Sequence, residues 1–321
     1  MTITIQFSDN ITHTYNSFEE ILKLENYNDI ILINCSNNNL SVLSELPNSL
    51  KQLICCSNNL SSLPELPNSL HILWCDNNYI SRLPKIPDFL RMLRCDNNRL
   101  SILPQLPDSL TDLHCDCNDL SSLPKLPYLL ESLLCSNNSL SSLPKLPHLL
   151  TEIRCTGNNI SSLPELPYSL TNLHCAYNSL SNLPKILNSL NSLNCADNNI
   201  SNLPELPNTL IVLYCENNYL YGLPKLPNSL KYLWCGDNYL SSLPKFPNSL
   251  THFYYDNNPI HVHICNYFDK DIKKYLEYHK NIKRKFSNKI GNWFLDCKYN
   301  PKYLYCRKRL IEEYEELYDD K

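Results

Sequence analysis

The chain copies itself every twenty residues. From Ile30 to about Ile260 the pattern L-x-x-L-x-C-x-x-N-x-L-x-x-L-P-x-L-P-x-x recurs twelve times, without insertion or deletion. A twenty-residue unit cannot bury a core by itself, so neighbouring units must stack to share one. One register reads Leu70-His71-Ile72-Leu73-Trp74-Cys75-Asp76-Asn77-Asn78-Tyr79-Ile80-Ser81-Arg82-Leu83-Pro84.

Within that unit, Leu73 and Cys75 alternate with Ile72, Trp74 and Asp76. A period of two marks a strand with one face inward. Stacking sets these strands side by side in a parallel sheet and turns Leu70, Leu73, Cys75, Ile80, Leu83 and Ile86 into one core. The return segment, as in Leu63-Pro64-Glu65-Leu66-Pro67-Asn68-Ser69-Leu70, carries prolines three residues apart. Proline removes a helix donor and favours polyproline II, so the convex side is expected to be extended and thin. Ser44 and Leu187 each replace one of these prolines. An asparagine recurs without exception from Asn38 to Asn258. Its amide is the natural partner for backbone groups stranded by the sharp turn after the strand. A period near twenty with this Leu, Cys and Asn pattern is the signature of a leucine-rich-repeat solenoid.

Eleven of the sixteen cysteines fall in one column, from Cys35 to Cys235. Free cysteine behaves as a small buried hydrophobe, and a column of core thiols suits a reducing compartment. The start, Met1-Thr2-Ile3-Thr4-Ile5-Gln6-Phe7, has neither the basic nor the apolar region of a signal peptide. No apolar run approaches the length of a membrane span. An intracellular, cytoplasmic location is therefore expected. The formal net charge is −4, split unevenly: residues 260–321 carry +4 and the rest −8.

A solenoid needs its terminal core covered. Residues 1–29 read as an N-terminal cap. Ile3, Ile5 and Phe7, then Ile11, His13 and Tyr15, alternate with polar residues as in a hairpin, and Ser17-Phe18-Glu19-Glu20 opens a short helix to about Leu24. The solenoid proper spans 30–260, and 261–321 read as a helical C-terminal cap. There, helices are predicted from Asp269 to Lys285 and from Pro301 to about Tyr318.

Leu-Pro-Glu-Leu-Pro-Asn-Ser-Leu resembles the LPX-type repeats of leucine-rich bacterial effectors from Yersinia and Shigella, over residues 30–260. The cysteine column and the tail segments Asn288-Lys289-Ile290-Gly291-Asn292-Trp293-Phe294, Asn300-Pro301-Lys302-Tyr303 and Arg309-Leu310-Ile311-Glu312-Glu313-Tyr314 are similar to leucine-rich-repeat proteins of mimivirus-type giant viruses. These resemblances imply the solenoid fold, and the second implies a viral protein acting in a host cell. The Shigella-type effectors carry a ubiquitin-ligase domain with a catalytic cysteine after the repeats. The roughly sixty residues after the array here are too few for that domain.

The concave face of the sheet is the candidate site. Its central column runs Asn34, Ile54, Trp74, Arg94, His114, Leu134, Arg154, His174, Asn194, Tyr214, Trp234, Tyr254. Tyr232, Tyr219 and Tyr239 add aromatic rings near the C-terminal end. Trp, Tyr and Arg are enriched at binding hot spots, so Trp74, Arg94, His114, Arg154, His174, Tyr214, Tyr232, Trp234 and Tyr254 are the expected partner-binding residues. Exposed aromatics also stabilise strands by packing across them, and both readings stand at this point. The expected function is non-catalytic recognition of a protein partner. An adaptor is the alternative, with the array holding one partner and the basic run Lys280–Lys285 another, as in substrate recognition for a ubiquitin ligase. No small-molecule substrate or cofactor is implied, because phosphate loops, nucleophile elbows and H-E-x-x-H are all missing. His261, His263 and Cys265, with Cys297 and Cys306, offer zinc-type donors, but their spacing fits no zinc module and no metal is expected. The acidic array argues against nucleic acid.

Overall fold

The computed structural model describes residues 2–9, 11–260, 274 and 277. The chain coils into a solenoid whose strands form one fourteen-stranded sheet. β1 (Ile3–Phe7) and β2 (Thr12–Tyr15) make an antiparallel hairpin, followed by α1 (Phe18–Leu22), a single 3-10 turn (Tyr27–Asp29) and β3 (Ile30–Asn34). β4 (Gln52–Ile54) and the strands that follow it come every twenty residues, up to β13 (Tyr232–Trp234) and β14 (His252–Tyr254). From β3 to β14 all pairings are parallel and in register, so each residue lies beside the one twenty positions later. Leu53, Leu73 and Leu93 thus stack directly in the core, beside the cysteine column. The Leu-Pro-x-Leu-Pro segments form neither helix nor strand, as their proline spacing requires.

Two polar ladders tie coil to coil. Asn78 Nδ2 donates to Cys55 O of the preceding coil (3.0 Å) and to Cys75 O and Asp76 O of its own (3.1 and 3.2 Å). Its Oδ1 accepts from the Leu60 N–H at 3.0 Å. One amide therefore satisfies four backbone groups that the turn leaves inside. The first member, Asn38, has no preceding coil, and Thr2 takes that place. The Thr2 N–H donates to Asn38 Oδ1 (2.7 Å), and Asn38 Nδ2 donates to Thr2 O (2.9 Å). On the other side, Ser69 Oγ lies 2.7 Å from both Asn48 O and Leu50 O of the preceding coil.

Before each ladder asparagine from Asn38 onward the backbone passes through the left-handed region, from Asn37 (φ 59) to Asn257 (φ 54). Asn, Asp and Gly dominate this column because they tolerate that conformation. Ser57 (φ 54), Cys117 (φ 53) and Tyr177 (φ 52) adopt it without such a side chain. Gly157 (φ 68) adopts it too, and a Cβ there would sit 2.4 Å from Asn137 Oδ1.

At the N-terminal end, β1 pairs with β3 and puts Ile3 and Ile5 over the core. β2 departs from its expected alternation: Ile11 is 54% exposed and His13 is also exposed. The strand is the edge of the sheet, and the core ends beneath its neighbour. α1 starts as expected, with Ser17 Oγ accepting from the Glu20 N–H at 3.3 Å while Glu20 Oε2 accepts from the Asn16 N–H at 3.0 Å. It ends at Leu22, two residues short of the predicted boundary. Lys274 and Glu277 are helical. The rest of the predicted C-terminal helices, the basic run and the His261, His263, Cys265, Cys297 and Cys306 donors lie outside the described residues.

Candidate protein-binding surface

Register alone builds this surface. In each three-residue strand the first and third side chains point away from the core and the middle one points in, as with Ile72, Trp74 and Leu73, and stacking aligns the outward ones into columns. The thirteen described cysteines are all free, and eleven are buried in the core. Burial pushes Cys155 up to about 12 and the thiols of Cys75, Cys95 and Cys115 well above the ordinary value. These thiols stay protonated at neutral pH, so the column supplies packing and no nucleophile.

In the N-terminal half, Trp74, Arg94 and His114 lie side by side on adjacent strands. The Arg94 guanidinium sits 4.5 Å from the Trp74 ring centroid. Trp74 Nε1 donates to Met92 Sδ at 3.2 Å. On the neighbouring rim Arg99 repeats the arrangement over Tyr79 at 4.7 Å. Beside them runs a carboxylate stripe. Asp96 Oδ1 accepts from the Asp116 N–H at 2.9 Å, and Asp116 Oδ1 accepts from the Ser136 N–H. Burial, then the charges of Asp116 and Asp76, push Asp96 up to about 6, against a downward pull from its backbone hydrogen bond. His114 is pushed down by burial and by Arg94, and His174 by burial and by Arg154. Arg154 forms its ion pair on its own strand, Nε to Glu152 Oε1 at 2.7 Å.

In the C-terminal half the predicted rings separate into three groups. Tyr214 and Trp234 have centroids 4.7 Å apart, and Tyr254 follows in register on β14. Tyr232 stacks instead on His252 at 4.7 Å. On the rim Tyr239 stacks on both Tyr219 (6.0 Å) and Tyr221 (5.6 Å). Trp234 is 43% exposed and Tyr254 39%. Gly236 makes room for the last ring: a Cβ there would lie 2.3 Å from Tyr254 Cε1. Trp74, eight strands away, does not join this cluster.

His252 and Tyr221 escaped the sequence reading. Both carry a signal. His252 stands one period after Tyr232, and Tyr221 breaks a column that is serine in almost every other unit. The turns before the strands carry further exposed apolar side chains, Phe89, Tyr128, Leu149 and Tyr168. Phe89 and Leu149 occupy the position of the bridging serine, so those coils give up its hydrogen bonds for an exposed apolar side chain.

No family model and no curated protein matches this chain. Solved structures do. YopM from Yersinia enterocolitica WA-314 is 34% identical, with a TM-score of 0.64 over 72% of this chain and 56% of that one. This chain thus spans little more than half of that protein's length. The leucine-rich effector protein YopM from Yersinia pestis is 31% identical, with a TM-score of 0.53 over 71% of this chain and 84% of that one. The leucine-rich-repeat part of FLRT2, solved in an octameric complex with Latrophilin 3 and Unc5D, is 25% identical at a TM-score of 0.59, over 71% of this chain and 81% of that one. Among the described residues no helix is long and apolar enough to cross a membrane. The coil-by-coil register, the asparagine ladder and these likenesses give one conclusion: the chain belongs to the leucine-rich-repeat proteins.

Proposed function

We propose that this chain is a non-catalytic recognition scaffold that binds a protein partner on its concave face, with the C-terminal rings as anchor. The carrying observation is the in-register run Tyr214, Trp234, Tyr254, three consecutive aromatic rings in this column, whose last two members stay exposed. Large aromatic rings left in water side by side are the residue types that anchor protein interfaces. The Arg94, His114, Arg154 and His174 band, with Trp74, supplies polar contacts along the same face. The partner is a host protein met in the cytoplasm, a reading that rests on the resemblance to giant-virus proteins and on the thiol column.

Pull-down from host-cell extract with the full chain tests the proposal. Trp234→Ala with Tyr214→Ala abolishes capture of the partner while circular dichroism is unchanged. Undiminished capture rejects it. The opposite charges of the array and of residues 260–321 favour one alternative, an adaptor with a second partner on the tail. A chain ending at Ile260 then keeps one partner and loses the other.

A further inference from the structure

We infer that the C-terminal concave face takes a cationic, arginine-bearing segment of its partner, held by the Tyr214, Trp234 and Tyr254 rings and the carboxylates beside them. This deepens the proposed function and rests on it.

The array shows on itself what such a ring accepts. Trp74 is followed one coil later by Arg94, and Tyr79 by Arg99, and both guanidinium groups lie over the preceding ring at 4.5 and 4.7 Å. Trp234 and Tyr219 occupy the same two columns at the other end. There the next coil supplies Tyr254 and Tyr239, so among the described residues no guanidinium covers those rings. An aromatic face in water attracts a guanidinium through its quadrupole, and the attraction grows as water leaves.

Charge points the same way. Asp197, Glu216, Asp237 and Asp256 line the edge of the cluster, one per coil. Among the described residues no lysine or arginine pairs with Asp197, Glu216 or Asp237. Glu216 Oε2 is buried with no hydrogen-bond partner. Desolvation, then the charges of Asp256, Asp237 and Glu216, raise the Tyr254 phenol, which sets those carboxylates around its ring. Of the three lysines in 191–260, Lys225 and Lys245 sit between prolines of the return segments, and Lys231 precedes β13, whereas Asp237 follows it. A negative, aromatic surface on which, among the described residues, Asp197, Glu216 and Asp237 have no lysine or arginine partner complements a positive extended segment. An acidic or purely apolar segment would leave Asp197, Glu216 and Asp237 uncompensated.

The probe is a fluorescein-labelled peptide of five arginine–serine repeats, read by anisotropy against the full chain. Its citrulline counterpart keeps the shape and removes the charge, and a glutamate–serine peptide reverses it. The arginine peptide binds, the other two do not, and added salt weakens the complex. Trp234→Ala weakens it by about 10-fold or more, the loss of one anchoring aromatic. Asp197→Asn with Asp237→Asn, which keeps the Oδ1 acceptor at both positions, weakens it by about 3-fold or more, as lost partly exposed charge pairs do. Equal binding of the citrulline peptide, or unchanged binding by both variants, overturns the inference. If the arginine peptide fails to bind while Trp234→Ala with Tyr214→Ala still abolishes partner capture, the aromatic anchor stands and only the cationic occupant falls. If capture is also indifferent to that pair, the recognition proposal falls as well.

Discussion

Asn78 and Leu60 sit in adjacent coils, and the Leu60 N–H donates to Asn78 Oδ1 at 3.0 Å. The same amide's Nδ2 reaches three carbonyls, one of them Cys55 O in the preceding coil. Asn78→Ala strands those buried groups and costs about 1–3 kcal/mol. A urea melt measures the loss. An unchanged midpoint would mean that the ladder holds nothing together.

The column thiols are shielded by burial as well as by their raised proton affinity. Native alkylation with iodoacetamide, read by mass spectrometry, leaves Cys75, Cys95, Cys115 and Cys135 unmodified and labels Cys117, which is only half-buried. Cys56, held protonated by burial and by its Sγ–H donated to Asp76 Oδ1 at 2.8 Å, reacts more slowly than Cys117. Labelling of the column before unfolding would contradict the core assignment.

Asp96 makes the coil stack pH-sensitive. Its folded value of about 6 exceeds the unfolded value of about 4, so folding favours the protonated acid. That contribution is fully present below about pH 4 and is lost as pH rises to about 6. Asp96→Asn keeps the Oδ1 acceptor for the Asp116 N–H and removes the charge. Its Tm at pH 7 is higher than that of the parent chain, and the difference vanishes near pH 4. A lower Tm at pH 7 would show that the charge is stabilising.

Leu149 occupies the position where Ser69 and Ser169 bridge coils, and it is 46% exposed. Leu149→Ser restores a hydroxyl within reach of the preceding coil and gains about 0.5–1.5 kcal/mol. A melting curve reads this directly, and a loss of stability would show that the leucine packs usefully.

The fold was legible because one constraint, stacking at a fixed period, determines strand, core and turn together. Leu73 and Cys75 announce their burial by alternation, and Asn78 announces its task by invariance within the chain. The left-handed turn residues were less visible, since Ser57, Cys117 and Tyr177 hide a column otherwise written in Asn, Asp and Gly. The surface was legible only as columns. Ring partners depend on rotamers across coils, so nothing in sequence said that Tyr232 stacks on His252, or that Gly236 makes room for Tyr254. Nor does periodicity reveal that Phe89, Tyr128, Leu149 and Tyr168 are exposed, because each departs from its column separately.

Site-specific photo-crosslinking tests the recognition surface most directly. Benzoylphenylalanine replaces Tyr254 in one protein and Lys145, exposed between two return-segment prolines, in another. With the captured partner present, light joins it to position 254 and leaves position 145 free. A conjugate at position 145 with none at 254 would move the contact off the concave face and contradict the account.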